Sequence, residues 1–96
     1  MNISVAHGAA KVLRMPGQGW YLMSLVVEPE FRGRGIGTRL MEKILAGSGR
    51  PIYLLVSGEF GGDVERLKAF YARFGFIPYR PTKSNPLPYN ANMILN

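Results

Sequence analysis

Apolar and polar positions alternate between two regimes along the chain. Residues 2–14 mix small and β-branched residues with single polar ones, which predicts one strand or two short strands turning at His7-Gly8. Met15 to Gly19 carries Pro16, Gly17 and Gly19 and reads as a turn. Residues 20–27 are apolar on both faces, the pattern of a strand in the middle of a sheet. Residues 35–46 change to a helical period, with Leu40, Ile44 and Leu45 on one stripe and Met41 beside it. Gly47-Ser48-Gly49 predicts a glycine stop. Residues 52–56 form a second buried strand, and residues 57–62 a loop. Asp63 is placed to cap a helix over residues 64–74, whose apolar face is Leu67, Phe70, Tyr71 and Phe74. Gly75 ends that helix, and a strand begins at Phe76-Ile77. Residues 78–88 hold four of the seven prolines and read as loop; residues 92–95 make a last short strand. The order β-β-α-β-α-β-β predicts an α/β (α+β) fold, a mixed sheet with helices packed on it, in one domain over residues 1–96.

Composition narrows the function. Hydrophobic residues make up 47% and charged residues 19%, the balance of a globular protein. The longest apolar runs fall well short of the roughly 18 residues of a membrane span. Asn2, Ser4, His7, Gly8 and Lys11 interrupt any signal-like start, and the absence of cysteine fits a cytoplasmic protein. With no cysteine and one histidine, thiolate chemistry is excluded and no metal site is expected. The net charge of +6 favours anionic ligands without choosing among them. Trp20, Tyr53, Phe60, Tyr79 and Tyr89 could stack on bases, yet no basic-aromatic motif of a nucleic-acid module is present. The cations form two groups, Arg32/Arg34/Arg39/Lys43 and Arg66/Lys68/Arg73; the second reads as a solvated helix face.

The first group surrounds the run Arg32-Gly33-Arg34-Gly35-Ile36-Gly37, which follows a strand and opens a helix. A glycine-rich turn there bares backbone N–H groups at the positive end of a helix, a site for phosphate. A single glycine would be an ordinary tight connection. Three in alternation, flanked by arginines, point to a pyrophosphate. The dinucleotide fingerprint fails, because its third glycine would be Thr38 and no acidic residue follows near Pro51-Ile52-Tyr53. The P-loop fails for want of a Gly-Lys-Ser/Thr ending. The spacing present is Arg-x-x-Gly-x-Gly, on Arg32, Gly35 and Gly37.

Set in Leu25-x-Val27-x-Pro29-x-x-Arg32-Gly33-x-Gly35-Ile36-Gly37-x-x-Leu40, this spacing resembles the GNAT superfamily of acetyl-CoA-dependent N-acetyltransferases. Tyr71-Ala72-Arg73-Phe74-Gly75-Phe76 resembles that family's Tyr-x-x-x-Gly-Phe segment. The resemblance covers roughly residues 20 to 80. It implies a twisted, mostly antiparallel mixed sheet carrying two helices, and acetyl-CoA as co-substrate. Arg32, Gly33, Arg34, Gly35, Ile36, Gly37 and Thr38 would cradle the pyrophosphate. Backbone at Leu25, Val26 and Val27 would hold the pantetheine arm and the thioester oxygen. Tyr71 would protonate the leaving thiolate. The attacking group would be a primary amine on a protein, peptide or small molecule. Such an amine, with pKa about 10.4, costs roughly 4.6 kcal/mol to deprotonate at neutral pH. Candidates for that task are Glu28 as base, Ser24 and Tyr21 as water-ordering groups, and His7.

Two departures from the family matter. Its opening strand and two helices, which help form the acceptor site, do not fit in the residues before Trp20. A short form of this kind implies a homodimer or partner protein that completes the site, a large acceptor docking on an open face, or a non-catalytic CoA-fold module that binds a partner. In addition, where the family often has an asparagine seven positions before the tyrosine, this chain has Val64 next to Asp63. An ionised aspartate cannot donate a hydrogen bond to the pantetheine arm.

Overall fold

The computed structural model describes residues 1–57, 63–80 and 90–96. The loop expected over residues 57–62, beyond Ser57, and that over residues 78–88, beyond Arg80, lie outside the described residues, as do Phe60 and Tyr89. The strands are β1 (Asn2–Val5), β2 (Gly8–Met15), β3 (Gly19–Val27), β4 (Ile52–Leu54), β5 (Ile77–Pro78) and β6 (Met93–Leu95). The helices are α1 (Ile36–Gly47) and α2 (Val64–Ala72). They build a six-stranded sheet in the order β1-β2-β3-β4-β6-β5. Every neighbouring pair is antiparallel except β3 and β4, which α1 connects as a parallel pair. The mixed, mostly antiparallel α/β fold read from the sequence is the fold observed.

Residues 2–14 resolve into two strands, with His7 at φ 64° in the turn between them. The backbone N–H of Glu28 donates to the His7 carbonyl at 2.9 Å, so this turn is fastened to the end of β3. β3 contains a bulge: Lys11 pairs with Ser24 but Val12 pairs with Leu22, leaving Met23 as the extra residue. Leu22 and Leu25, three apart, therefore both reach the core under the helices, which strict alternation would forbid. The bulge accounts for the apolar run of β3 as much as its central place does.

Both helices contribute to one core. Leu40, Met41 and Ile44 of α1 are fully buried against Ile52 and Leu54, and Tyr71 of α2 joins the same cluster. Burying the three α1 side chains contributes about 1.5–3 kcal/mol each. The opposite face of the sheet holds a smaller cluster of Met15, Tyr21, Tyr53, Ala91 and Ile94.

Several boundaries differ from expectation, most by one residue, as at β3, which begins at Gly19, and β6, which begins at Met93 because Asn92 is taken up by Val56. Gly47 is the last helical residue of α1, and Ser48 stops the helix instead of a glycine. Its backbone N–H and its hydroxyl both donate to the Ile44 carbonyl at 2.8 Å, satisfying a group the helix end leaves open. α2 ends at Ala72 rather than residue 74, with the N–H groups of Phe74 and Phe76 both turned to the Tyr71 carbonyl and Gly75 at φ 98°. β5 begins one residue late, because Phe76 is spent in the core. β4 stops at Leu54 instead of residue 56. The Asn92 side chain intercepts it, accepting from the Val56 N–H at 2.8 Å and donating to the Val56 carbonyl at 2.9 Å. Asp63 caps α2 as read, accepting from the Arg66 N–H at 3.2 Å.

Replacing Asn92 by Ala leaves both Val56 backbone groups unmatched in a half-buried position. It should lower the unfolding free energy by about 1–3 kcal/mol in a urea titration. Burial pushes the Tyr71 hydroxyl up to about 12 from 10.0. Below pH 10 both folded and unfolded chains keep this proton, so it contributes no pH dependence. As pH rises from 10 to 12 the unfolded chain releases it while the folded chain holds it. Stability should therefore fall by about 2–3 kcal/mol across that window. Subtracting the curve of Tyr71→Phe, which lacks this component, isolates it from Tyr53, also raised by burial and by Tyr79.

Candidate functional site

The glycine-rich turn is short and uncapped. After β3, Pro29–Phe31 makes one 3-10 turn, and the chain then passes through Gly33 at φ 80° and Gly35 at φ 78°. Both glycines are required by the left-handed backbone, since a Cβ at either would meet open space. Gly37 has a different reason. A Cβ there would lie 3.3 Å from the Phe70 ring, so this glycine lets α1 and α2 approach.

Gly35 is the N-cap of α1 and supplies no side-chain acceptor, and the first turn contains no acidic residue. The first α-helical bond is Arg39 N–H to the Gly35 carbonyl at 3.1 Å. The N–H groups of Ile36, Gly37 and Thr38 are thus left without helical partners at the positive end of the helix dipole. Ile36 meanwhile buries its side chain in the core, which anchors the turn. The cations stand around it. Arg32 donates from Nε to the Val27 carbonyl at 3.4 Å, and the Arg34 guanidinium lies 5.3 Å from the Phe31 ring centre. Phe31 in turn stacks on His7, ring centres 3.5 Å apart and 6° from parallel.

The edge beside this turn is open. β3 pairs with β4 only from Trp20↔Ile52 to Leu22↔Leu54. Beyond Leu54 the chain is drawn to Asn92, so among the described residues no strand pairs with residues 23–27 of β3 on the β4 side. Leu25 packs towards the helices, within 3.9 Å of a Cβ placed on Gly37. Val26 is 58% exposed on the other face. Val27, half-buried, packs on the core of the helix side. The structure therefore brings Leu25, Val26 and Val27 to an unpaired edge directly before the turn of Arg32, Gly33, Arg34, Gly35, Ile36, Gly37 and Thr38.

The remaining candidates divide between the two faces. Tyr71 lies on the helix side, buried between Phe70 and Phe76 with ring centres 5.2 Å and 5.8 Å away. Ser24 sits on the opposite face, paired with Lys11. Tyr21 is also on that face, but buried in the smaller cluster. Glu28 is at the mouth of the turn, its Oε2 2.7 Å from the His7 Nδ1, so these two candidates are partnered with each other. Two contributors were not singled out in the sequence: Phe31, the platform between His7 and Arg34, and Asn92, which ends β4. An asparagine directly before the apolar run Met93-Ile94-Leu95 is the signal that Asn92 left in the sequence.

Comparison with known proteins identifies the family. Residues 2–78 match the family model of the acetyltransferase (GNAT) domain. The mycothiol acetyltransferase of Acidothermus cellulolyticus is 44% identical over 56 residues, which is 58% of this chain and 16% of that protein. The chain thus spans about a sixth of the curated relative it matches. A GNAT-family acetyltransferase from Staphylococcus aureus Mu50 superposes with a TM-score of 0.74 at 22% identity, over 94% of this chain and 59% of that one. The anti-CRISPR protein AcrVA5 superposes with a TM-score of 0.72 at 18% identity, over 100% of this chain and 97% of that one. At such identities the two structures speak for the fold alone. With a family model that takes in both helices, the glycine-rich turn and the split strand pair, the chain belongs to the GNAT acetyltransferase family.

Proposed function

We propose that this chain moves the acetyl group of acetyl-CoA to a primary amine by direct attack. The observation that carries the reading is the adjacency of an uncapped, arginine-flanked helix N-terminus to a strand edge that no described residue pairs over five positions. A pyrophosphate fits the first, through the N–H groups of Ile36, Gly37 and Thr38 and the charges of Arg32 and Arg34. An extended amide-bearing arm fits the second, because it can hydrogen-bond like a strand along Leu25 to Val27.

The amine attacks the thioester carbon, a tetrahedral oxyanion forms, and the C–S bond breaks to give an amide and a thiol. In this reading an N–H of the β3 edge stabilises the oxyanion. Tyr71 lies on the helix side of the sheet, where its hydroxyl stays protonated at neutral pH. A phenol held near 12 gives its proton uphill to a thiolate of pKa about 8.5. Its contribution is therefore the hydrogen bond that builds on sulfur as the C–S bond stretches, and a proton it passes to sulfur is replaced by the one the amine releases to water. The proton released by the amine leaves through water, with Glu28 and Ser24 as the nearby polar groups that can pass it on.

Calorimetric titration of the protein with acetyl-CoA tests the reading. Binding in the micromolar range is expected, and Gly35→Glu should abolish it while leaving a folded protein. This change combines strain at φ 78° with a carboxylate where the phosphates would lie. Tyr71→Phe should bind acetyl-CoA normally and lose about 10²–10³ in turnover. No binding by the folded parent protein would leave the turn as scaffold only.

A further inference from the structure

The anion site is flanked by acidic as well as basic side chains. Glu28 stands at the mouth of the glycine-rich turn, and Glu30 is exposed on the 3-10 turn after it. A carboxylate there is a rival for the site. The positive end of a helix attracts any anion, and a carboxylate tethered beside it is present at high effective concentration. Nothing in α1 itself fills the position, since its N-cap is Gly35 and its first turn contains no acidic residue. Glu28 is nevertheless engaged elsewhere. Its Oε2 accepts a hydrogen bond from His7 Nδ1 at 2.7 Å. Both side chains are exposed, 43% for His7 and 55% for Glu28, and an exposed pair adds little to the stability of a fold. The surroundings are built around that bond all the same. The Phe31 ring stacks on the imidazole with centres 3.5 Å apart, which fixes the imidazole plane and so the direction of Nδ1. The Glu28 N–H donates to the His7 carbonyl at 2.9 Å, so the two residues are joined through backbone as well as side chains. His7 adopts φ 64°, a conformation that glycine or asparagine takes with less strain, yet a histidine is placed there. Gly8, the next residue, packs on the start of α1: a Cβ on it would lie 2.8 Å from the Ile36 Cγ2. The hairpin turn that carries His7 is therefore seated against a residue whose N–H belongs to the anion site.

We infer that His7 is a positioning residue of the acyl-CoA site, holding the Glu28 carboxylate aside so that the helix N-terminus is left for a phosphate. The inference rests on the acetyl-transfer reading above, through its coenzyme A site, and adds a residue to it. The N–H groups of Ile36, Gly37 and Thr38 can be claimed by a ligand phosphate or by a side chain of the chain itself. Without the imidazole, the Glu28 carboxylate is released to turn towards them, or to stand beside the pyrophosphate as a like charge. Either outcome weakens ligand binding without loosening the fold, because a carboxylate at a helix N-terminus stabilises the helix. The histidine therefore works for the ligand and not for the fold. Phe31 serves the same end by aiming the imidazole, and the Arg34 guanidinium, 5.3 Å from the centre of that ring, belongs to the same assembly.

The test titrates the intact protein with coenzyme A in the calorimeter, so that no chemistry is required. His7→Gly removes the imidazole and suits the backbone at φ 64°. It should bind coenzyme A about tenfold more weakly than the parent protein at low salt, while its urea midpoint equals or exceeds the parent's. Adding Glu28→Gln, which keeps the shape and removes the charge, should return the affinity to within about twofold of the parent. Glu30→Gln, at a residue His7 does not hold, should change the affinity of the parent and of His7→Gly by the same factor. Unchanged coenzyme A affinity in His7→Gly overturns the inference. So does a loss that Glu28→Gln leaves unreversed, that Glu30→Gln reverses equally well, or that comes with a lowered urea midpoint, since each makes His7 a structural support. Failure of the acetyl-transfer reading shows separately: the parent protein itself then binds no coenzyme A, and the inference falls with it.

Discussion

Three residue pairs join β3 to β4, and the pairing stops there because one amide takes the strand away. The side chain of Asn92 satisfies both the N–H and the carbonyl of Val56 and so holds the chain after β4 to the β6 side. Buried backbone groups must be paired. Asn92 meets that demand from the β6 side, and the far half of β3 is thereby left with an edge in the middle of a sheet. A strand edge in that position is ordinarily a liability. Here it stands next to a helix N-terminus whose own N–H groups are also unclaimed, so two sets of unmatched donors converge on one region.

The rest of the structure keeps that convergence rigid. Ile36 is buried while its backbone N–H remains in the open first turn, so the core holds the anion site by the side chain of one of its own residues. Gly37 permits the contact with Phe70 that ties α2, and with it Tyr71, to α1. The bulge at Met23 lets Leu22 and Leu25 both pack beneath the helices, which keeps the open edge straight in front of the turn. The bond from Glu28 to the His7 carbonyl, together with the His7–Phe31–Arg34 stack, braces the same turn from the β1–β2 side. The two faces of the sheet then differ in what they offer. The helix side holds Tyr71 and the anion site, and the other side carries the apolar row from Leu13 to Ile77.

Much of this was legible in local patterning. Asp63 announces its helix through its position before an apolar period, and Gly75 its end, because capping depends on neighbours along the chain. The ends read less well wherever a distant group decided them. Ser48 rather than glycine stops α1, and nothing near Leu54 in the sequence says that β4 should end there. The pairing of Glu28 with His7 was likewise hidden, since the two are brought together by a hairpin turn and a strand end that lie far apart in the chain.

The sequence by itself determined the order and type of the elements, the glycine-rich turn and its charge, and through two spaced motifs the family. These depend on periodicity and on φ preferences, which are properties of short segments. Only the tertiary structure decided which of three glycines is needed for conformation and which for closeness, where β3 loses its partner, and which candidate side chains share a face. Those outcomes depend on contacts between residues distant in the chain, Asn92 with Val56 and Phe70 with Gly37, and no local pattern carries them.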